Sequence, residues 1–383
     1  MINAGDFLLP CSAFGYDFFT GTPCSYLKPF INFVIDHEAF NFVDATNEGD
    51  ALAMASGAVL AGGKGVVMFQ NSGLGNAVNP LTSLVHTFRI PLLLIVTLRG
   101  EPGGPPDEPQ HELMGDITLS MLDVMRIKWE YFPNRPDEIG AALNRADSYM
   151  ETQGRPFAFV MRKNDVEPYE LKSGKGNSAF YFECKKKEWF IVPYNQRATR
   201  EDALRVIQEV SGSESAVIAS TGFTGRELWA LDDRENQLYM VGSMGCALPL
   251  GLGVAINKPG IKIYVVDGDG ALLMRTGTMA TVGAYGPVNL VHILLDNEVH
   301  DSTGGQSTVS AGVSFSTVAK GFGYSRTFAT DSLDALADFM HTTFEGPVFI
   351  HFKTRKGAMA NLGRPSITPV QVKERFIHYL QNY

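Results

Sequence analysis

The sequence has little of what marks a secreted, membrane-spanning or nucleic-acid-binding protein. Cysteine is scarce. Cys11, Cys24, Cys184 and Cys246 have neither the paired spacing of a metal site nor that of a disulfide framework, which fits a reduced, cytoplasmic setting. Long apolar runs are missing. The stretch from Ile90 to Val96 is far short of the ~20 residues a spanning helix needs, so no membrane partner is expected. No Lys or Arg precedes Lys28, and Asp6 interrupts the start, so no secretory leader is expected. Positive charge is outnumbered: 32 Lys and Arg stand against 41 Asp and Glu, a net charge of −9, which argues against a nucleic-acid partner. Charged residues make up only 19% of the chain and hydrophobic ones 45%, which excludes a disordered chain. At ~150 residues per domain, 383 residues suggest two domains.

What is present is alternation. Short apolar runs bounded by glycine or polar turns recur between amphipathic stretches. In the first part they are Asp17–Thr20, Phe40–Asp44, Val66–Gln70, Leu92–Thr97, Ile127–Tyr131 and Phe157–Met161. In the second they are Ala216–Ala219, Leu238–Val241, Ile263–Val266, Leu290–Leu295 and Val348–Phe352. Such runs read as strands buried on both faces. Helical patterns over Asp50–Leu60, Pro136–Met150, Ala271–Gly283, Ser332–Met340 and Val370–Leu380 lie between or after them. Strand–helix alternation predicts an α/β protein with two doubly wound parallel sheets. Domains are expected over 1–165 and 200–383. A polar linker over 166–199, with Gly174-Lys175-Gly176 and the Lys185-Lys186-Lys187 run, is expected to cross a surface.

One stretch carries chemistry. The apolar strand Ile263–Val266 runs into Asp267-Gly268-Asp269-Gly270, and a later strand ends at Asp296-Asn297; twenty-six residues separate Gly270 from Asn297. That gap holds one crossover helix and a return strand, so adjacent parallel strands deliver Asp269 and Asn297 to one carboxyl edge. A carboxylate, an amide oxygen and main-chain carbonyls suit a hard cation such as magnesium. The flanking glycines and the following helix start suit a phosphate. An ordinary βα turn would also explain the motif. In the first half, Glu48 falls at a strand-to-helix junction, where a first-turn carboxylate is also common for reasons of the helix dipole.

Gly268-Asp269-Gly270 with Asn297 resembles the diphosphate–magnesium motif of the thiamine diphosphate enzymes. The resemblance implies that Asp269, Asn297 and the carbonyl of Val299 hold the metal. It also implies that Glu48, in a pyrimidine-binding domain, meets N1′ of the cofactor's aminopyrimidine. Met244, in Gly242-Ser-Met-Gly-Cys246, would wedge between the cofactor's rings, and the Gly242 carbonyl would accept from its amino group; core filling would also explain Met244. With no room for a middle domain, the whole chain is similar to the short 2-oxo acid decarboxylases of this class. The segments Phe18–Lys28, Gln70–Asn76, Arg99–Gly103, Asp107–His111, Leu295–Gln306 and Asn361–Pro365 carry that similarity. Three positions depart from it: Cys24 in place of Asp, Cys246 in place of His and Glu298 in place of Gly.

The implied reaction is non-oxidative loss of carbon dioxide from a small 2-oxo acid that carries a second anionic group, a phosphonate first and a sulfonate next. A carboligase of the acetolactate synthase type, suggested by Leu248-Pro249, and a cofactor-binding protein without turnover are the alternatives. Ser25, Asn71, Ser302 and Arg364 are the expected substrate contacts. His111 and His300 are expected to move protons. The resemblance also implies a homo-oligomer with its sites at subunit interfaces.

Overall fold

The structure, a computed structural model, describes residues 1–173, 185–190, 192–342 and 345–383. Cys184 and Gly174-Lys175-Gly176 lie outside the described residues. The chain forms two compact units, residues 1–176 and 177–383.

The first unit carries six parallel strands: β1 (Tyr16–Gly21), β2 (Asn41–Asp44), β3 (Lys64–Gln70), β4 (Leu93–Thr97), β5 (Lys128–Tyr131) and β6 (Phe157–Met161), in the order β2-β1-β3-β4-β6-β5. β4 and β6 are buried throughout, as continuous apolar runs require when helices cover both faces. On one face, the helices Ala4–Ala13, Lys28–Asp36 and Pro136–Gln153 bury an aromatic core. The Phe7 ring meets Phe159 edge-on at 5.7 Å and Phe30 at 5.6 Å. Burying each such ring contributes roughly 1.5–3 kcal/mol. The small residues of the helix Glu48–Leu60 let it lie close on the sheet; all but its first residue are buried.

The second unit carries a seven-stranded parallel sheet. Its strands are β7 (Lys185–Trp189), β8 (Ser215–Ala219), β9 (Gln237–Tyr239), β10 (Lys262–Gly268), β11 (Leu290–Asp296), β14 (Arg326–Thr330) and β15 (Val348–Lys353). Their order is β7-β14-β15-β11-β10-β8-β9. A two-stranded antiparallel ribbon, β12 (Val299–His300) with β13 (Gln306–Ser307), follows β11.

Two sequence expectations need correction. The stretch 166–199 is not wholly a surface linker: Lys185–Trp189 pairs with β14 as an edge strand, and charge is a usual guard of a sheet edge. The helix read over Ala271–Gly283 is two helices, Asp269–Met274 and Gly277–Tyr285, parted at Arg275, where φ is −137°.

In each sheet one reversal of strand order falls between central strands: between β1 and β3 in the first, between β8 and β10 in the second. Open α/β sheets leave a crevice there, outside the carboxyl ends of the strands. Glu48 follows β2 beside the first of these places, and Asp269 and Asn297 follow β10 and β11 beside the second.

Candidate active site

At the edge of the first unit, Glu48 opens the helix Glu48–Leu60. Asn47 caps that helix, its side chain accepting from the Gly49 N–H at 2.8 Å. The cap fixes where the helix begins and so where Glu48 stands. Thr22, just beyond β1, donates its hydroxyl to Glu48 Oε1 at 3.1 Å. Asn76 donates to Oε2 at 2.8 Å. Both oxygens are held, and the carboxylate is half-buried. Gly73 makes this possible: a Cβ there would come within 2.5 Å of the Glu48 side chain.

The other first-unit candidates differ in exposure. Ser25 is exposed. His111 is buried, and its Nδ1 has no hydrogen-bond partner among the described residues. Asn71 is wholly buried, and its amide donates to the Arg99 carbonyl at 2.9 Å and to Thr118 Oγ1 at 3.0 Å. Those bonds spend its two N–H donors, so Asn71 is a strut under the edge and does not offer the substrate donor expected of it.

A polar cluster at the same edge went unread in the sequence. Arg99 Nε donates to Asp107 Oδ2 at 2.9 Å, and its Nη2 forms a second bond to Oδ1. Tyr26 donates to Asp107 at 3.2 Å, and Cys24 Sγ to Gln70 Oε1 at 3.3 Å. The Arg99 hydrogen bond holds the Asp107 carboxyl well below the usual carboxylate range. Burial and the Asp107 charge push Tyr26 up to about 12.

At the edge of the second unit the expected residues converge. Met244, Asp269, Asn297, Val299, His300 and Ser302 line one cavity, with Gly268 and Gly270 in its wall. Gly270 is required by close approach: a Cβ would meet His300 Cε1 at 2.5 Å and Met244 Cε at 3.1 Å. Met244 is half-buried and lines the cavity. Gly242 and Arg364 are not among the cavity's lining residues; Arg364 is exposed, on a loop tied down where Arg226 donates to the Leu362 and Gly363 carbonyls at 2.6 and 2.8 Å.

Asn297 donates to Asp301 Oδ2 at 2.6 Å and accepts the Val299 N–H at 3.2 Å through Oδ1. One lone pair of Oδ1 remains for a cation. Burial pushes the Asp269 carboxyl up, and the Asp296 charge adds to this, against a Thr308 hydrogen bond that lowers it. Among the described residues there is no group of three or more His, Cys, Asp or Glu that could hold a metal. The oxygen donors that the sequence pointed to at this cavity are one carboxylate, an amide and a main-chain carbonyl. That set fits magnesium, which takes oxygen ligands from one or two carboxylates and completes them with phosphate and water.

Just before Asn297 lies Asp296, fully buried. Burial raises its pKa, but His351 at 2.8 Å and Lys353 at 2.7 Å outweigh that and bring it down to about 2. Ser220, Thr221, Phe223 and Thr224, after β8, also line the cavity. Thr221 ties this turn to the next, donating to the Val241 carbonyl at 2.8 Å. These residues were missed in the sequence; a strand end, Gly222 and two threonines at a helix start were the available signal.

Comparison with known proteins identifies the family. Residues 5–120 match the family described as "Thiamine pyrophosphate enzyme, N-terminal TPP binding domain", and residues 227–352 match "Thiamine pyrophosphate enzyme, C-terminal TPP binding domain". The chain is 43% identical to a phosphonopyruvate decarboxylase of Streptomyces viridochromogenes, over 98% of this chain and 94% of that one. It is 42% identical to one from Streptomyces hygroscopicus, over 98% and 93%. A sulfopyruvate decarboxylase subunit beta of Methanothermobacter thermautotrophicus is 34% identical over 46% of this chain and 94% of its own. In fold, the chain is similar to benzoylformate decarboxylase from Polynucleobacter necessarius, with a TM-score of 0.72, 13% identity, and 94% and 100% of the two chains covered. Among the described residues, no helix is long and apolar enough to cross a membrane.

Proposed function

The chain belongs to the thiamine pyrophosphate enzyme family, and from that premise we propose that it decarboxylates 3-phosphonopyruvate to phosphonoacetaldehyde and carbon dioxide, with magnesium as its metal. The observation that carries this reading is the near-full-length identity to enzymes of that activity. The convergence of Asp269, Asn297 and Val299 on one cavity supports it.

When bound, thiamine diphosphate supplies a carbon nucleophile for the ketone and an electron sink for the pair left behind as carbon dioxide departs. The chain's own residues do the rest. Glu48 holds a proton shared with N1′ of the aminopyrimidine, and Thr22 and Asn76 fix the plane of its carboxylate. Asp269, Asn297 and the Val299 carbonyl would hold the magnesium, whose charge would offset that of the diphosphate. Met244, in the cavity wall, would pack against the bound cofactor, and the Gly242 carbonyl, outside that wall, would be an acceptor for its amino group. His300 and Ser302 offer donors to the substrate from the cavity wall, and His300 stands where it can pass a proton. Ser25 and His111 are the first-unit groups proposed to meet the substrate.

A negatively charged chain that takes two anions must gather positive charge locally, and magnesium provides most of it. Sulfopyruvate is the second reading, from the sulfopyruvate decarboxylase similarity. Side-by-side turnover of the two acids separates them: faster phosphonopyruvate turnover is expected, and faster sulfopyruvate turnover refutes the assignment. A longer hydroxyketone in place of the aldehyde would mark a carboligase.

The active assembly is proposed to be a homo-oligomer in the cytoplasm, the Glu48 edge of one copy completing the metal edge of another. Light scattering should give at least a dimer mass, and full activity in a strictly monomeric fraction would contradict this.

A further inference from the structure

Glu298 lies between two of the residues assigned to the metal, Asn297 and Val299, and its φ is +65°. That is the left-handed region, where a Cβ crowds the following carbonyl. A side-chain-bearing residue persists there when its surroundings over-determine it. Here they do. Glu298 Oε1 accepts from Lys353 Nζ at 2.8 Å and from Arg197 Nη1 at 3.5 Å. The Glu298 N–H donates to Asp296 Oδ1 at 3.1 Å. Lys353 ends β15, and Arg197 lies on the segment before the helix Arg200–Ser211, so two distant parts of the chain close on one turn. Tyr194, from that same segment, donates its hydroxyl to the Asn297 carbonyl at 3.2 Å.

Charge balance alone does not explain the carboxylate. Lys353 Nζ is already 2.7 Å from the buried Asp296. The contact that Glu298 adds runs through the metal turn itself, from Lys353 to Arg197.

We propose that Glu298 is a positioning residue: its bridge between Lys353 and Arg197 holds the left-handed turn that presents Asn297 and the Val299 carbonyl to the metal. The inference rests on the metal assignment above. A glycine would adopt the same backbone without the bridge, since it enters this region at no steric cost. Glutamine would keep the backbone strain and lose the ion pairs.

The test is calorimetric titration of the intact protein with thiamine diphosphate, with and without Mg2+, alongside the unfolding midpoint of the cofactor-free protein. Glu298→Gln should weaken Mg2+-dependent binding by about tenfold or more, the range seen when groups that orient metal ligands are lost. Its unfolding midpoint should stay near that of the unaltered protein, because Asp296 still pairs Lys353. Glu298→Gly should recover most of the lost affinity. Arg197→Met should weaken binding in the same direction, and should add nothing in the Glu298→Gly background. Unchanged affinity in Glu298→Gln, or Glu298→Gly as weak as Glu298→Gln, overturns the proposal. If Glu298→Gln does not fold, unchanged affinity in Arg197→Met overturns it. Binding that ignores Mg2+ in the unaltered protein would instead defeat the metal assignment.

Discussion

Glu48→Gln should cut kcat by about 10²–10⁴-fold, the usual worth of a positioned acid–base group, while leaving cofactor affinity near that of the unaltered protein. The structure says why the fold should survive. Glu48 lies at the start of its helix, half-buried, and its anchors are two neutral donors, Thr22 and Asn76. A glutamine keeps one acceptor for one of them, and the Asn76 amide can turn to serve the other atom, so the cost in stability is about 1 kcal/mol or less. What glutamine cannot do is hold the proton shared with the pyrimidine nitrogen. Single-turnover decarboxylation rates check this, and near-normal turnover would remove Glu48 from the mechanism.

Asp269→Ala should weaken Mg2+-dependent cofactor binding by about 100-fold or more, since the metal loses its charged protein ligand. The same change should not weaken the cofactor-free protein. The Asp269 carboxyl is pushed up by burial and by the neighbouring Asp296 charge. A carboxyl whose folded-state pKa is raised opposes folding at neutral pH, where it must be ionised. Its removal relieves that cost, against the loss of the Thr308 hydrogen bond. Holding stability while losing the cofactor is therefore the expected pattern, read by a thermal midpoint and a binding titration. Unchanged affinity would contradict the metal assignment.

The parts of this molecule that were legible in the sequence share one property: a local pattern states the physics. Continuous apolar runs such as Leu93–Thr97 and Phe157–Met161 become central strands because burial on both faces leaves no place for alternation. Gly268-Asp269-Gly270 and Asn297 were placed together because consecutive parallel strands share an edge, and β10 does pair with β11. The misses came where several distant segments decide. Lys185–Lys187 has the look of a solvated run, yet it pairs as an edge strand because β14 offers open backbone bonds. Arg326–Thr330 has no apolar run of its own and is a strand because β15 lies beside it. Asn71 looked like a substrate donor until Arg99 and Thr118 claimed its amide. The bridge from Lys353 through Glu298 to Arg197 spans sequence gaps that no spacing rule connects.

Loss of carbon dioxide from phosphonopyruvate is the reaction proposed for this chain. It is tested most directly by mixing the purified protein with phosphonopyruvate, thiamine diphosphate and Mg2+, and following phosphorus NMR. The substrate signal should disappear with equal gain of phosphonoacetaldehyde, and only when both additions are present. Cofactor binding with phosphonopyruvate left intact would contradict it.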